Sequence, residues 1–108
     1  MPSSTISRGN ILNEVLIAVT LTPAAVAANS SATQTFALPG ALATDFIETF
    51  PSAAGTANMM IQNCWVSSAG IVAIQWLNTS AAAITPATGT YNVNLLRPEN
   101  IPLPPNMV

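Results

Sequence analysis

The sequence predicts an all-β protein: a single antiparallel β-sandwich or small jelly-roll-like barrel with extended N- and C-terminal arms. Three observations carry this. Apolar and polar residues alternate with period two in several short runs, as in half-buried strands. Turn residues separate those runs, and the glycines at 9, 40, 55, 70 and 89 are spread singly among them. Apolar spacing of three and four residues, the mark of an amphipathic helix, is weak throughout. Short strands without intervening helices suit a sandwich or small barrel and argue against a parallel sheet. The 108 residues fit one domain. Its expected parts are an N-terminal arm (1–13), a sandwich (14–97) and a Pro-rich C-terminal arm (98–108).

The first run, "VLIAVTL" at Val15–Leu21, has the outline of a secretory leader, with "AVA" at Ala25–Ala27 and Arg8 upstream. A leader needs a cationic start and a pure apolar centre. Glu14 offsets Arg8, Thr20 and Thr22 dilute the centre, and Val15, Ile17, Val19 and Leu21 fall on one face of an extended chain. The segment therefore reads as a strand, and it is too short for a membrane span of about 20 residues. "TQTFAL" (Thr33–Leu38) is a second strand, closed by the Pro39–Gly40 turn. "ATDFIETF" (Ala43–Phe50) is a strand or one helical turn, ended by Pro51. "MMIQNCWVSS" (Met59–Ser68) is a strand with Met59, Ile61, Asn63 and Trp65 on one face and Met60, Gln62, Cys64 and Val66 on the other. With "IVAIQWLN" (Ile71–Asn78) it reads as a β-hairpin about the Ser68–Gly70 turn. "TSAAAITPATG" is mostly loop, with a short strand possible at Ala82–Thr85, and "TYNVNLLR" (Thr90–Arg97) is the last strand. "LTPA" at Leu21–Ala24 and "ITPA" at Ile84–Ala87 form a faint echo that two Thr-Pro turns suffice to explain.

Charge is nearly absent. The full set is Arg8, Glu14, Asp45, Glu48, Arg97 and Glu99, or 6% of residues, against about a quarter in ordinary soluble domains. Half the residues are hydrophobic. Such a surface protects an isolated monomer poorly against association, so the composition suits a subunit covered by neighbours. Two basic residues and a net charge of −2 leave no footprint for nucleic acid, and no basic amphipathic face for an anionic membrane. In the tail "PENIPLPPNMV", four prolines impose an extended, polyproline-like course. Apolar residues in both arms (Ile6, Ile11, Leu12, Ile101, Leu103, Met107 and Val108) are the candidate interface residues.

No catalytic set is legible. The chain has no histidine, which removes the Ser-His-Asp and Cys-His arrangements. Cys64, the single cysteine, has no cationic neighbour in sequence and reads as a small core residue. Asp45 and Glu48 are the one close carboxylate pair, and three residues apart on a short element they read as a polar face. No oxygen cluster for a hard cation and no glycine-rich phosphate loop is present, so no metal, cofactor or small-molecule substrate is expected. Trp65 and Trp76 are core or interface anchors, or else a sugar-stacking platform. Asn29-Ser30-Ser31 and Asn78-Thr79-Ser80 match glycosylation sequons, as chance provides in a chain of this composition.

The stretches "VTLTPAAVAANSSATQTFALPG" (Val19–Gly40) and "VSSAGIVAIQWLNTSAAAITPATGTYNVNLLRP" (Val66–Pro98) resemble small virion structural proteins of tailed bacteriophages. In that group a strand runs into an LTPAAVAANT-like loop and a T-x-T-F strand. A VSAADTLAIQFVN-like segment, an AITP loop and a TYTV strand follow. The middle, "ATDFIETFPSAAGTANMMIQNCW", departs from the group, which is richer there in valine and glycine. The resemblance implies a non-enzymatic role as a capsid decoration, or cement, protein on the virion surface. Its implied partners are the major capsid protein and further copies of itself, a trimer being favoured. The alternative is a host- or glycan-binding module at a fibre, neck or tail site.

Overall fold

The structure, a computed structural model, describes residues 11–99, and of Ile11 the main chain alone. Six strands follow one another: β1 (Ile11–Leu21), β2 (Ser30–Ala37), β3 (Phe46–Pro51), β4 (Met59–Ser68), β5 (Ile71–Asn78) and β6 (Gly89–Pro98). No helix occurs among the described residues. The strands form two three-stranded antiparallel sheets, ordered β1-β6-β3 and β2-β5-β4, packed face to face. The chain is thus the all-β sandwich that its alternating pattern predicts.

Period two governs which side chains enter the core. In the first sheet Ile17 and Val19 of β1 stand opposite Val93 and Tyr91 of β6, while Val15, opposite Leu95 towards the start of the strand, is left exposed. On the far side of β6, Ile47 and Thr49 of β3 join the same inward rows. Region Ala43–Phe50 takes the strand alternative, because Ile47 and Thr49 are buried while Phe46, Glu48 and Phe50 are exposed. Ala43 and Thr44 form the turn before it. The second strand begins at Ser30, earlier than its Thr33 start in the sequence reading, as Ser30 and Ser31 pair with Asn78 and Leu77.

One facing assignment is corrected. The register of β4 against β5 slips between Ile61 and Asn63, which leaves Gln62 as the extra residue of a bulge. Alternation is therefore reset. Met59, Ile61, Cys64 and Val66 stand beside Asn78, Trp76, Ile74 and Val72, whereas Asn63 and Trp65 stand beside Gln75 and Ala73. The expected β4–β5 hairpin forms, and its turn needs Gly70, whose φ is +78°.

Each sheet draws strands from both halves of the chain. The connections 22–29, 52–58 and 79–88 each cross from one sheet to the other. Main-chain hydrogen bonds tie them together: Val26 and Ile84 exchange a pair at 2.8 and 3.1 Å, Asn29 N–H donates to Ser80 O, and Thr79 N–H donates to Asn58 O. The LTPA and ITPA echo is thus two crossings lying side by side. Gln34 adds a side-chain version of the same pairing, accepting from Ala24 N–H at 2.7 Å and donating to Ala24 O at 2.9 Å.

The core divides in two. At one end Leu38, Ala41, Ile47, Val66, Val72, Val93 and Leu95 pack together, with Cys64 against them. At the other, Leu21, Val26, Ile74, Trp76 and Tyr91 close on one another. Phe36, Trp76 and Tyr91 meet edge to face, with centroids 5.8 and 6.4 Å apart. Each large side chain taken fully from water here contributes roughly 1.5–3 kcal/mol.

The arm boundaries also shift. Ile11 and Leu12 lie within β1, where Ile11 stands opposite Pro98 and the register slips at Leu12. Pro98 itself closes β6. Ile6, Ile101, Leu103, Met107 and Val108 lie outside the described residues.

Candidate interaction surfaces

The charged and polar residues singled out as candidate chemistry serve the fold. Asp45 and Glu48 are parted: Glu48 stands outward on β3, while Asp45 is buried in the loop before it. Arg97 grips Asp45 through two parallel bonds, Nε to Oδ1 at 2.9 Å and Nη2 to Oδ2 at 2.8 Å. The Asp45 carboxylate also accepts Leu42 N–H at 2.8 Å, and Arg97 Nη2 reaches Gly40 O at 2.7 Å. The loop from β2 to β3 is fastened to the end of β6 in this way. The Arg97 hydrogen bond holds the Asp45 carboxyl below the usual carboxylate range, with the Leu42 amide adding to it and burial opposing. Among the described residues, no group of three or more His, Cys, Asp or Glu is placed to hold a metal ion.

Cys64 is half-buried against both core clusters, and its Sγ lies 3.5 Å from Ile47 O. Asn78 is fully buried. Its amide donates to Val26 O and Ala82 O at 3.0 and 2.9 Å and accepts Ser80 N–H at 2.9 Å. That sequon is therefore a structural knot joining two crossings. A polar residue ending an apolar strand before Thr-Ser was its only trace in the sequence. Trp76 is 2% exposed, so of the two indoles only Trp65 reaches the surface.

The two outer faces differ. On the first sheet the register places Glu14, Leu96 and Phe46 in one row, Leu16, Asn94 and Glu48 in the next, and Ala18, Asn92 and Phe50 in a third. Leu16 is 73% exposed, Phe46 59% and Phe50 61%. These exposed apolar groups share the face with Glu14, Glu48, Asn92 and Asn94. The second sheet shows Thr33, Gln75 and Asn63 in one row and Thr35, Ala73 and Trp65 in the next. There a single indole sits among hydroxyl and amide groups.

A groove of about 250 Å³ runs between β3 and β4, the free edges of the two sheets on one side of the sandwich. Ile47, Thr49, Ile61 and Cys64 line it, with Phe46 and Phe50 at its rim. Thr49 is 2% exposed, and its hydroxyl has no hydrogen-bond partner among the described residues. A buried polar atom left so costs free energy and calls for an explanation. Nothing in the sequence marked Thr49, because its meaning depends on which strands become edges.

A scan against protein-family models and searches of curated proteins and of solved structures find no match to this chain.

Proposed function

We propose that the chain is a non-enzymatic virion structural protein of a bacteriophage, a capsid decoration protein. It self-associates and clamps neighbouring major capsid subunits, stabilising the head. The observation that carries this reading is the outer face of β1-β6-β3, where Leu16, Phe46 and Phe50 stand exposed on a sandwich almost without charge. Such a face is suited to burial against a shell, where area and shape give affinity. The phage resemblance supports it, since the residues that carry it build β2, β5, β6 and two of the crossings. The test compares shells with and without this protein under heat and low ionic strength. Decorated shells are expected to retain their contents longer, and equal release from both would overturn the cementing role.

A second reading is favoured by Trp65. Its 39% exposure, in one cross-strand row with Thr35 beyond Ala73 and next to the row of Asn63 and Gln75, suits stacking on a sugar ring, with hydroxyl and amide partners, at a fibre, neck or tail site. A glycan array would register binding that Trp65→Ala abolishes, and an array without hits removes this reading.

A further inference from the structure

We propose that the groove between β3 and β4 receives the N-terminal segment Ser3–Asn10 of a neighbouring copy, added as a strand to the free edge of β3. The inference rests on the self-association in the reading above and names its receptor site. β3 pairs with β6 on one side and, among the described residues, has no strand on the other. An unpaired edge offers main-chain groups to an extended segment. β4 is the poorer template, because its register slips twice, between Ile61 and Asn63 and between Val66 and Ser68. β3 runs six residues without a slip. Polar Glu48, Gln62 and Asn63 line the groove beside its apolar residues, and the buried Thr49 hydroxyl there lacks, among the described residues, a partner that an incoming main chain would supply.

The sequence identifies the occupant. Proline cannot donate to a ladder, and Pro102, Pro104 and Pro105 break the C-terminal segment into pieces shorter than β3. Ser3–Asn10 has no proline, outlasts the six residues of β3 and carries β-branched Thr5 and Ile6. It also carries Arg8, while Glu48 lines the groove, so charges match. A neighbouring copy provides the segment more directly than the same chain. Ile11 stands opposite Pro98, two strands from β3 and beyond the Phe46–Leu96 pair where β3 begins. To return in cis the chain must double back around the end of β6. Passing a segment to the next copy is a head-to-tail contact, which closes into a ring when the rotation permits.

Cys64 makes the test direct, because it lines the groove and is the only cysteine. Ser3→Cys, Ser4→Cys and Ser7→Cys are placed singly in the full chain and oxidised mildly, with Thr33→Cys on the outer face of β2 as the control. Disulfide-linked dimers and larger species through Cys64 are expected from at least one arm variant and absent from the control. A disulfide closed within one chain, or none at any arm position, would overturn the proposal. Thr49→Val gives a second readout: the concentration at which the oligomer dissociates should rise at least tenfold while the isolated subunit stays folded. Unchanged dissociation would overturn the pairing of that hydroxyl with the neighbour's strand. Decorated shells that survive heat without arm cross-links would leave the decoration role standing and remove only this contact. Cross-links on shells that gain no stability would do the reverse.

Discussion

Asn78 ties as many hydrogen bonds into one side chain as Asp45 or Arg97 does, and it does so without a charge. Its amide joins Val26 and Ala82 and receives Ser80 N–H, with no exposure to water. Asn78→Ala deletes these bonds and strands buried groups, at a cost of about 3 kcal/mol. Asn78→Asp should be worse, since a carboxylate would face two carbonyl oxygens. Urea denaturation followed by tryptophan fluorescence measures both, and a loss under about 1 kcal/mol for Asn78→Ala would refute the account. Asp45 sets the acid limit. Its carboxyl titrates lower in the fold than in the unfolded chain, so its contribution is present above about pH 4, the ordinary carboxylate value, and is lost as pH falls through the depressed value. Tyr91 sets an alkaline limit in the opposite sense. Burial raises its phenol, so that contribution holds below about pH 10 and is lost as pH rises through the raised value. With no histidine in the chain, the urea midpoint should change little between about pH 5 and 7. It should fall below about pH 4, and Asp45→Asn should flatten that fall while lowering the neutral midpoint.

At the scale of elements, five of the six strands were legible as strands, because alternation and turn residues agree there, while Ala43–Phe50 stood between a strand and a helical turn. β5 runs from Ile71 to Asn78 in both the sequence reading and the structure. What alternation could not reveal was the bulge in β4, since an extra residue in one strand is defined only against its partner. "MMIQNCWV" alternates equally well without a bulge, and it then puts Asn63 and Trp65 with Ile61. Burial decides otherwise, since Cys64 and Val66 fill the core and Trp65 is left outside. The groove and the Thr49 hydroxyl were illegible for the same reason: edges are a property of strand order, which no local pattern encodes. The bulge makes a sharp prediction. Deleting Gln62 leaves Met59, Ile61, Cys64 and Val66 on one alternating face, so the shortened chain should fold with a melting temperature within about 5 °C of the parent. Deleting Cys64 instead sets the polar Asn63 in the core place of Cys64 where the bulge closes, or carries Trp65 towards the core and Val66 away from it where the bulge is kept. That chain should lose its cooperative transition. Equal tolerance of the two deletions would show that the register is not held by the core pattern.

At the scale of the molecule, the region that departs from the phage pattern builds β3 and β4, and with them the groove and the Phe46 and Phe50 pair. Under the decoration role proposed above, the crossings and core would be the frame shared with that group, and the β3–β4 edge the contact surface particular to one shell. Self-pairing through the apolar face is disfavoured, because Glu14 and Glu48 lie on it and no basic residue in the register rows relieves them. A partner bearing cations around an apolar patch fits better. Phe46→Thr with Phe50→Thr tests this without unfolding the subunit, since both rings are more than half exposed and threonine suits a strand. Each ring offers on the order of 100 Å² to a partner, about 2.5 kcal/mol at roughly 25 cal/mol per Å². The double variant should keep its urea midpoint and bind undecorated shells at least tenfold more weakly in sedimentation assays, and added salt should weaken the parent further. Full shell binding by a correctly folded double variant would move the docking surface off this sheet, leaving the face around Trp65 as the one to examine by Trp65→Ala.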